Sequence, residues 1–219
     1  MRTLVPIAAL SLVAAAQAQT TIDPAHKFCW TENAGWFNWA DANSGVNGVR
    51  DRATYLSGYI WGENTGWINV GGSPTNNIHY ANTDSSDYGR NIDGSTGAVG
   101  GFAWSENVGW INFSAGAQVI PPSPAYFDDA AGRFRGYAWG ENIGWINLDD
   151  TVDYVKRQCY ANCDGSTTSP QVNVSDFLCY LQKFAKGDPY ANCDRSDTAP
   201  LLNVADFTCY LQKFAQPCP

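Results

Sequence analysis

Four segments of the chain carry Trp, Glu, Asn, Gly, Trp and Asn at identical offsets: FCWTENAGWFNW (28–39), YIWGENTGWINV (59–70), FAWSENVGWINF (102–113) and YAWGENIGWINL (137–148). Repetition of this kind constrains the fold more tightly than composition does, because each copy is one supersecondary unit that needs its neighbours to cover it. Within a copy, two short apolar runs flank a polar stretch with turn chemistry. Asn64 tolerates a left-handed backbone and Gly66 a positive φ, so ENTG suits a tight connection between antiparallel strands. Each copy is therefore expected to be a hairpin with its two tryptophans paired across the neck.

Before the last three copies runs a further strand-like segment: SGVNGVRDRATYLSG, YGRNIDGSTGAVGG and AYFDDAAGRFRG. The region 19–152 is thus expected to be mainly β, an antiparallel repeat domain of three-stranded units. Period-two alternation puts Leu56, Gly58 and Ile60 on one face and Tyr59, Trp61, Trp67 and Asn69 on the other. Ile68 and Val70 join the first face if no bulge shifts the register. Both faces carry apolar weight, so the sheets are expected to be covered on two sides or closed into a ring or barrel. Because eight of the nine tryptophans repeat in step, they read as a core device.

Glu32, Glu63, Glu106 and Glu141 are the only glutamates in the chain. Their expected role is structural, with each carboxylate accepting hydrogen bonds from turn amides or from a tryptophan Nε1–H. A second reading makes Glu, Asn and exposed Trp a sugar-binding surface, so a glycan is a candidate partner. Catalysis by paired carboxylates needs two environments that push the acid and the base apart, whereas these four stand in equivalent turns. Neither His26 nor His79 lies in a nucleophile motif or a metal-binding spacing.

The opening MRTLVPIAALSLVAAAQAQT joins one Arg to an apolar run and a small-residue site at Ala16–Ala18, the pattern of a secretory signal peptide spanning 1–18. That run is too short to span a bilayer. The formal charge of -8, one unit more negative once Arg2 is removed, argues against nucleic acid and anionic membranes as partners. A secreted or cell-surface protein is expected.

Residues 153–219 carry a second, stricter repeat: YANCDGSTTSPQVNVSDFLCYLQKFA and YANCDRSDTAPLLNVADFTCYLQKFA, offset by 30 residues without a gap. Each reads as an acidic loop leading into a short helix. Phe177, Leu181 and Phe184 form an apolar stripe in the first, with Ser175 as cap and Gly187 as stop. Phe207, Leu211 and Phe214 repeat the stripe.

This arrangement resembles the type I dockerin module, a tandem of calcium-binding loop-helix units that docks onto cohesin domains, and in particular the Cys-containing dockerin-like tails of exported planctomycete-type bacterial proteins. The Trp-x-Glu-Asn-x-Gly-Trp copies are similar to repeats of exported bacterial proteins with no assigned activity. The dockerin resemblance implies two Ca2+ ions. Asn162, Asp164, Ser166, Asn173 and Asp176 would ligate in the first loop, and Asn192, Asp194, Ser196 or Asp197, Asn203 and Asp206 in the second. It also implies a cohesin-like or other exported partner, recognised at Val174 and Ser175 in one copy and Val204 and Ala205 in the other.

Six of the seven cysteines fall in this tail, which for an exported chain reads as a disulfide framework. Repeat symmetry fits Cys163 with Cys179 and Cys193 with Cys209, leaving Cys159 and Cys218 to clasp the ends. Pairing swapped between the repeats is equally symmetric. Cys29 is expected to be a buried free thiol. The resulting expectation is an exported, non-enzymatic modular protein with a β-repeat binding or structural domain and a calcium-dependent attachment module. The alternative is a carbohydrate-active protein, a lectin or a glycosidase, using the Trp/Glu turns.

Overall fold

The computed structural model describes residues 20–216 and 218, except 167 and 197, so the expected signal peptide lies outside the described residues. Each Trp motif forms a hairpin. The four are Ile22–Thr31 with Gly35–Asn38, Tyr55–Gly62 with Gly66–Gly71, Val99–Ser105 with Gly109–Asn112, and Tyr137–Gly140 with Gly144–Asn147. In every one the two tryptophans are direct cross-strand partners.

Between hairpins the register repeats as strictly as the sequence. Asn38 stands opposite Trp61, Asn69 opposite Trp104, Asn112 opposite Trp139 and Asn147 opposite Trp30. The last pairing joins the fourth hairpin to the first, and eight strands close into an antiparallel barrel. Closure leaves no sheet edge in this ring.

The motif residues divide between its inside and outside. Cys29 and Phe37, Ile60 and Ile68, Ala103 and Ile111, and Ala138 and Ile146 face one another in the interior and are fully buried. Below them Trp39, Val70, Phe113 and Leu148 close one end. Ala34, Thr65, Val108 and Ile143, from the variable position of each turn, fill the other. An eight-stranded barrel has room for about this much side chain and no more. The paired tryptophans are therefore outside, contrary to the expectation of a core role. Five of them are 36–44 % exposed, and the rings of each pair cross at 59–75° with centroids 4.8–5.3 Å apart, edge-on in three pairs and tilted in Trp104–Trp110. The core tryptophan is the one outside the repeat, Trp39, whose Nε1 donates to the buried Cys29 Sγ (3.2 Å).

Asparagine, rather than glutamate, anchors the turns. Asn64 Nδ2 donates to the Ala34 carbonyl, Asn107 to Thr65, Asn142 to Val108, and Asn33 to Ile143, at 2.9–3.3 Å. Each turn thereby holds the previous one, and the fourth is held by the first. Gly35, Gly66, Gly109 and Gly144 sit beneath the incoming amides with φ of +72 to +75°, a backbone region that disfavours side chains. Glu32 reaches the Trp145 amide at 3.4 Å. Glu63, Glu106 and Glu141 are exposed and have no hydrogen-bond partner among the described residues; nothing in the structure explains why they are glutamate.

The leading strands lie outside the barrel. A register shift at Gly58 (φ +101°) ends the barrel portion of its strand, and the residues before it pair with Arg50–Asp51 and Arg90–Ile92. The sheet also runs past residue 152, because Val155–Arg157 pairs with the first barrel strand.

The tail contains two helices, α1 (Val174–Lys186) and α2 (Val204–Phe214). Its core centres on Tyr180 and Tyr210, stacked 3.8 Å apart at 6°. Their hydroxyls cross over, Tyr180 donating to the Ala191 carbonyl and Tyr210 to Ala161, so each helix is tied to the other copy's loop. Phe177 and Phe184 join this core, whereas Leu181 points outward with Leu178; the buried stripe runs Phe177–Tyr180–Phe184. The disulfides are Cys159–Cys218, Cys163–Cys179 and Cys193–Cys209, each within its own repeat or clasping the ends. No helix among the described residues is long and apolar enough to cross a membrane.

The leading strands outside the barrel and the tail meet on a buried charge cluster. Asp51, 2 % exposed in its side chain, pairs with Arg157 (2.8 Å) and Arg195 (3.4 Å), and both arginines also approach Asp129. Burial alone would raise the Asp51 pKa, but Arg195 and Arg157 outweigh it and hold the carboxyl below its ordinary value.

Two outcomes follow for stability. Asn64→Ala and Asn107→Ala should each cost about 1 kcal/mol in denaturant unfolding by stranding a turn carbonyl, while Glu63→Gln should stay within about 0.5 kcal/mol; a larger loss for the glutamate would reverse these roles. A depressed carboxyl contributes stability above its unfolded value of about 3.9 and loses it as pH falls further, through the folded value. The Asp51 contribution should accordingly disappear only below about pH 4. In Asp51→Asn that acid-sensitive component should be missing, with a loss of about 3–5 kcal/mol already present at pH 7.

Candidate metal centre

Each tail loop must connect a Cys-Asp turn to a helix start whose first amides lack partners. Asn173 fills the cap position, where Ser175 was expected, and its Oδ1 accepts the Ser175 amide at 2.8 Å. Asp176, three residues on, accepts the Asn173 amide on Oδ2 (2.8 Å), completing a capping box. Its Oδ1 accepts the Asp164 amide (3.1 Å), which draws the start of the loop onto the helix. The second loop repeats each of these contacts through Asn203, Ala205, Asp206 and Asp194.

This folding brings the Asp164 and Asp176 carboxyls side by side, and likewise Asp194 and Asp206. Asp176 and Asp206 are fully buried. Burial pushes both of their pKa values up, and the neighbouring carboxylate adds to this against the backbone amides that favour the charged form. Beside each pair lies an amide oxygen with nothing to accept. Asn162 donates through Nδ2 to the Ser166 carbonyl (2.7 Å) and Asn192 through Nδ2 to Ser196 (2.7 Å), yet both Oδ1 atoms are buried without a partner. A buried acceptor in that state is costly unless a donor or cation meets it.

Of the residues expected to ligate, the loops therefore bring together Asn162, Asp164 and Asp176, and Asn192, Asp194 and Asp206. Ser166 and Ser196 border the sites through their backbone. Asn173 and Asn203 are engaged as helix caps, each also donating to a proline carbonyl. Asp197 lies outside the described residues. Among the described residues no three His, Cys, Asp or Glu side chains converge on one point. Two carboxylates with amide and backbone oxygens form a hard, all-oxygen donor set, which suits calcium and not a thiolate- or imidazole-seeking metal.

The crowding of like charges makes a sign-reversing test. Asp164→Asn keeps an oxygen for the Ser166 amide and removes one charge from the pair. With calcium chelated, the variant should melt at the same temperature as the parent or higher; in millimolar calcium it should melt lower. A lower melting temperature in both conditions would show that the aspartates are held together for another reason.

Comparison of the chain with protein-family models, with curated proteins and with solved structures finds no match to any of them, so the reading of this centre rests on its own chemistry.

Proposed function

We propose that the chain is an exported, non-enzymatic modular protein in which the barrel displays a binding or structural surface and the tail is a calcium-dependent attachment module of the dockerin-like kind. The observation that carries this reading is the twofold occurrence of a carboxylate pair beside an orphaned, buried amide oxygen. Two Ca2+ ions, one per loop, would neutralise Asp164 with Asp176 and Asp194 with Asp206, and would give Asn162 and Asn192 the partner they lack. Disulfides in the tail fit an oxidising, extracellular setting.

The helix starts support attachment to a partner. Val174 and Val204 are 70 % and 79 % exposed, next to exposed Ser175 and Ala205, so these valines do not pack beneath their own loops. Small and apolar side chains on a solvated helix start suit a cohesin-like exported protein that covers them.

A second reading, glycan binding by the barrel, is favoured by the half-exposed tryptophan pairs repeated around its outer wall. The four glutamates stand in equivalent exposed turns, which suits a lectin better than a glycosidase.

Calorimetry of the chain from residue 19 should find two calcium ions bound, and one in Asp176→Ala. Capture of exported proteins should need calcium and should fail in a Ser175→Arg, Ala205→Arg double variant that still binds both ions. No heat and no thermal shift at millimolar calcium would remove the attachment reading, and a glycan array on the same chain decides the second.

A further inference from the structure

A cavity of about 720 Å³ opens between the tail and the leading strand Arg50–Asp51, room enough for a small organic ligand. Cations line it from both sides. Arg50 and Arg52 come from the strand, and Lys183 and Lys186, one turn apart at the C-terminal end of α1, come from the tail. The dipole of a helix end favours lysine there, but it does not call for two arginines on the facing wall. The formal charge of the chain is -8, so this concentration of positive charge runs against its composition. Carboxylates in the walls do not use it up. Asp188 meets Arg52 at 3.6 Å, Asp51 is engaged by Arg157 and Arg195, and Asp164 accepts the Ser166 amide of its own loop. Lys183 lays its ammonium over the Tyr190 ring (4.1 Å), and neither it nor Lys186 has a side-chain ion pair or hydrogen bond among the described residues. Burial lowers the pKa of Arg50, and Arg52 lowers it further; burial also lowers that of Lys183, where Arg52 acts against Asp188. Like charges gathered in a partly enclosed space repel unless an anion joins them.

We propose that this cavity binds a compact sugar ester, its phosphate or sulfate group held by Arg52, Lys183 and Lys186 and its hydroxyls by Gln158 and Gln182. Ammonium and guanidinium groups give an oxyanion charge-assisted hydrogen bonds, the strong kind. Gln158 and Gln182 reach the cavity from two different elements, and their side-chain amides have no partner among the described residues. Each offers a donor and an acceptor at once, which is what a hydroxyl needs. The size of the ligand follows from the charge of the whole chain. A long polyanion crossing the surface would be repelled, whereas an ester small enough to sit inside the cavity meets only the local cations. The site depends neither on calcium in the tail loops nor on the tryptophan pairs of the barrel wall.

The test is calorimetry on the chain from residue 19, dialysed free of calcium so that no cation can take the ester in place of the lysines. Glucose 6-phosphate, glucose 6-sulfate, inorganic sulfate and glucose are titrated in turn. Both esters should bind more tightly than the free ion or the bare sugar, and the tighter of the two tells phosphate from sulfate. Lys183→Gln and Lys186→Gln should each weaken the esters by about tenfold, the effect of one charge-assisted hydrogen bond. Lys186 is exposed, so its replacement does not threaten the fold, and the melting temperature checks this for every variant. Lys213→Gln changes the same helix position in the second copy, outside the cavity, and should leave the affinity as in the parent. No heat with either ester at millimolar concentration would overturn the site. So would free sulfate or glucose binding as tightly as the esters, or a Lys213→Gln variant weakened as much as Lys183→Gln and Lys186→Gln.

Discussion

Ring closure depends on one hydrogen bond made four times. Each turn asparagine donates to the carbonyl of the preceding turn, and the fourth turn is completed by Asn33 from the first. Because donor and acceptor belong to the same short motif, a copy specifies its neighbour as well as itself. The same holds in the strands, where the final Asn of one motif stands opposite the leading Trp of the next. Four identical offsets are what a closed, self-complementary ring requires. A copy with one residue more or fewer between Trp and Asn would turn its inward residues out.

Much of this was legible in the sequence. Hairpins, cross-strand tryptophan pairs, two-sided packing or closure, and the inward course of Ile68 and Val70 follow from turn chemistry and alternation. Which face is inside does not follow, because period two tells which residues share a face and says nothing of the space available. Eight indoles exceed the interior of an eight-stranded barrel, whereas Ile60, Ile68, Ala103, Ile111, Ala138 and Ile146 fit it. Size, not hydrophobicity, puts the tryptophans outside.

The tail shows the complementary limit. The Asn-x-x-Asp spacing that begins each helix satisfies both a ligand pattern and a capping box, and only geometry assigns Asn173 and Asn203 to the cap and Asp176 and Asp206 to the carboxylate pair. The tyrosine core was hidden because a stripe at i, i+4, i+7 and one at i, i+3, i+7 differ by a single residue. The crossed hydroxyl bonds of Tyr180 and Tyr210 explain why the duplicated unit exists as a pair: neither copy satisfies its own tyrosine.

The seventh cysteine sets an order of events. An odd thiol near six others is a hazard during oxidation, since thiolate attack scrambles disulfides. Cys29 is enclosed beneath Phe37 and Trp39, and burial pushes its pKa up to about 12, so that the reactive thiolate is all but absent. The ring that encloses it is complete at Leu148, whereas the first tail cysteine is Cys159. A chain emerging from its N-terminus can therefore shut its unpaired sulfur away before any sulfur that must be paired arrives, and the barrel serves its own tail as a redox shield during folding.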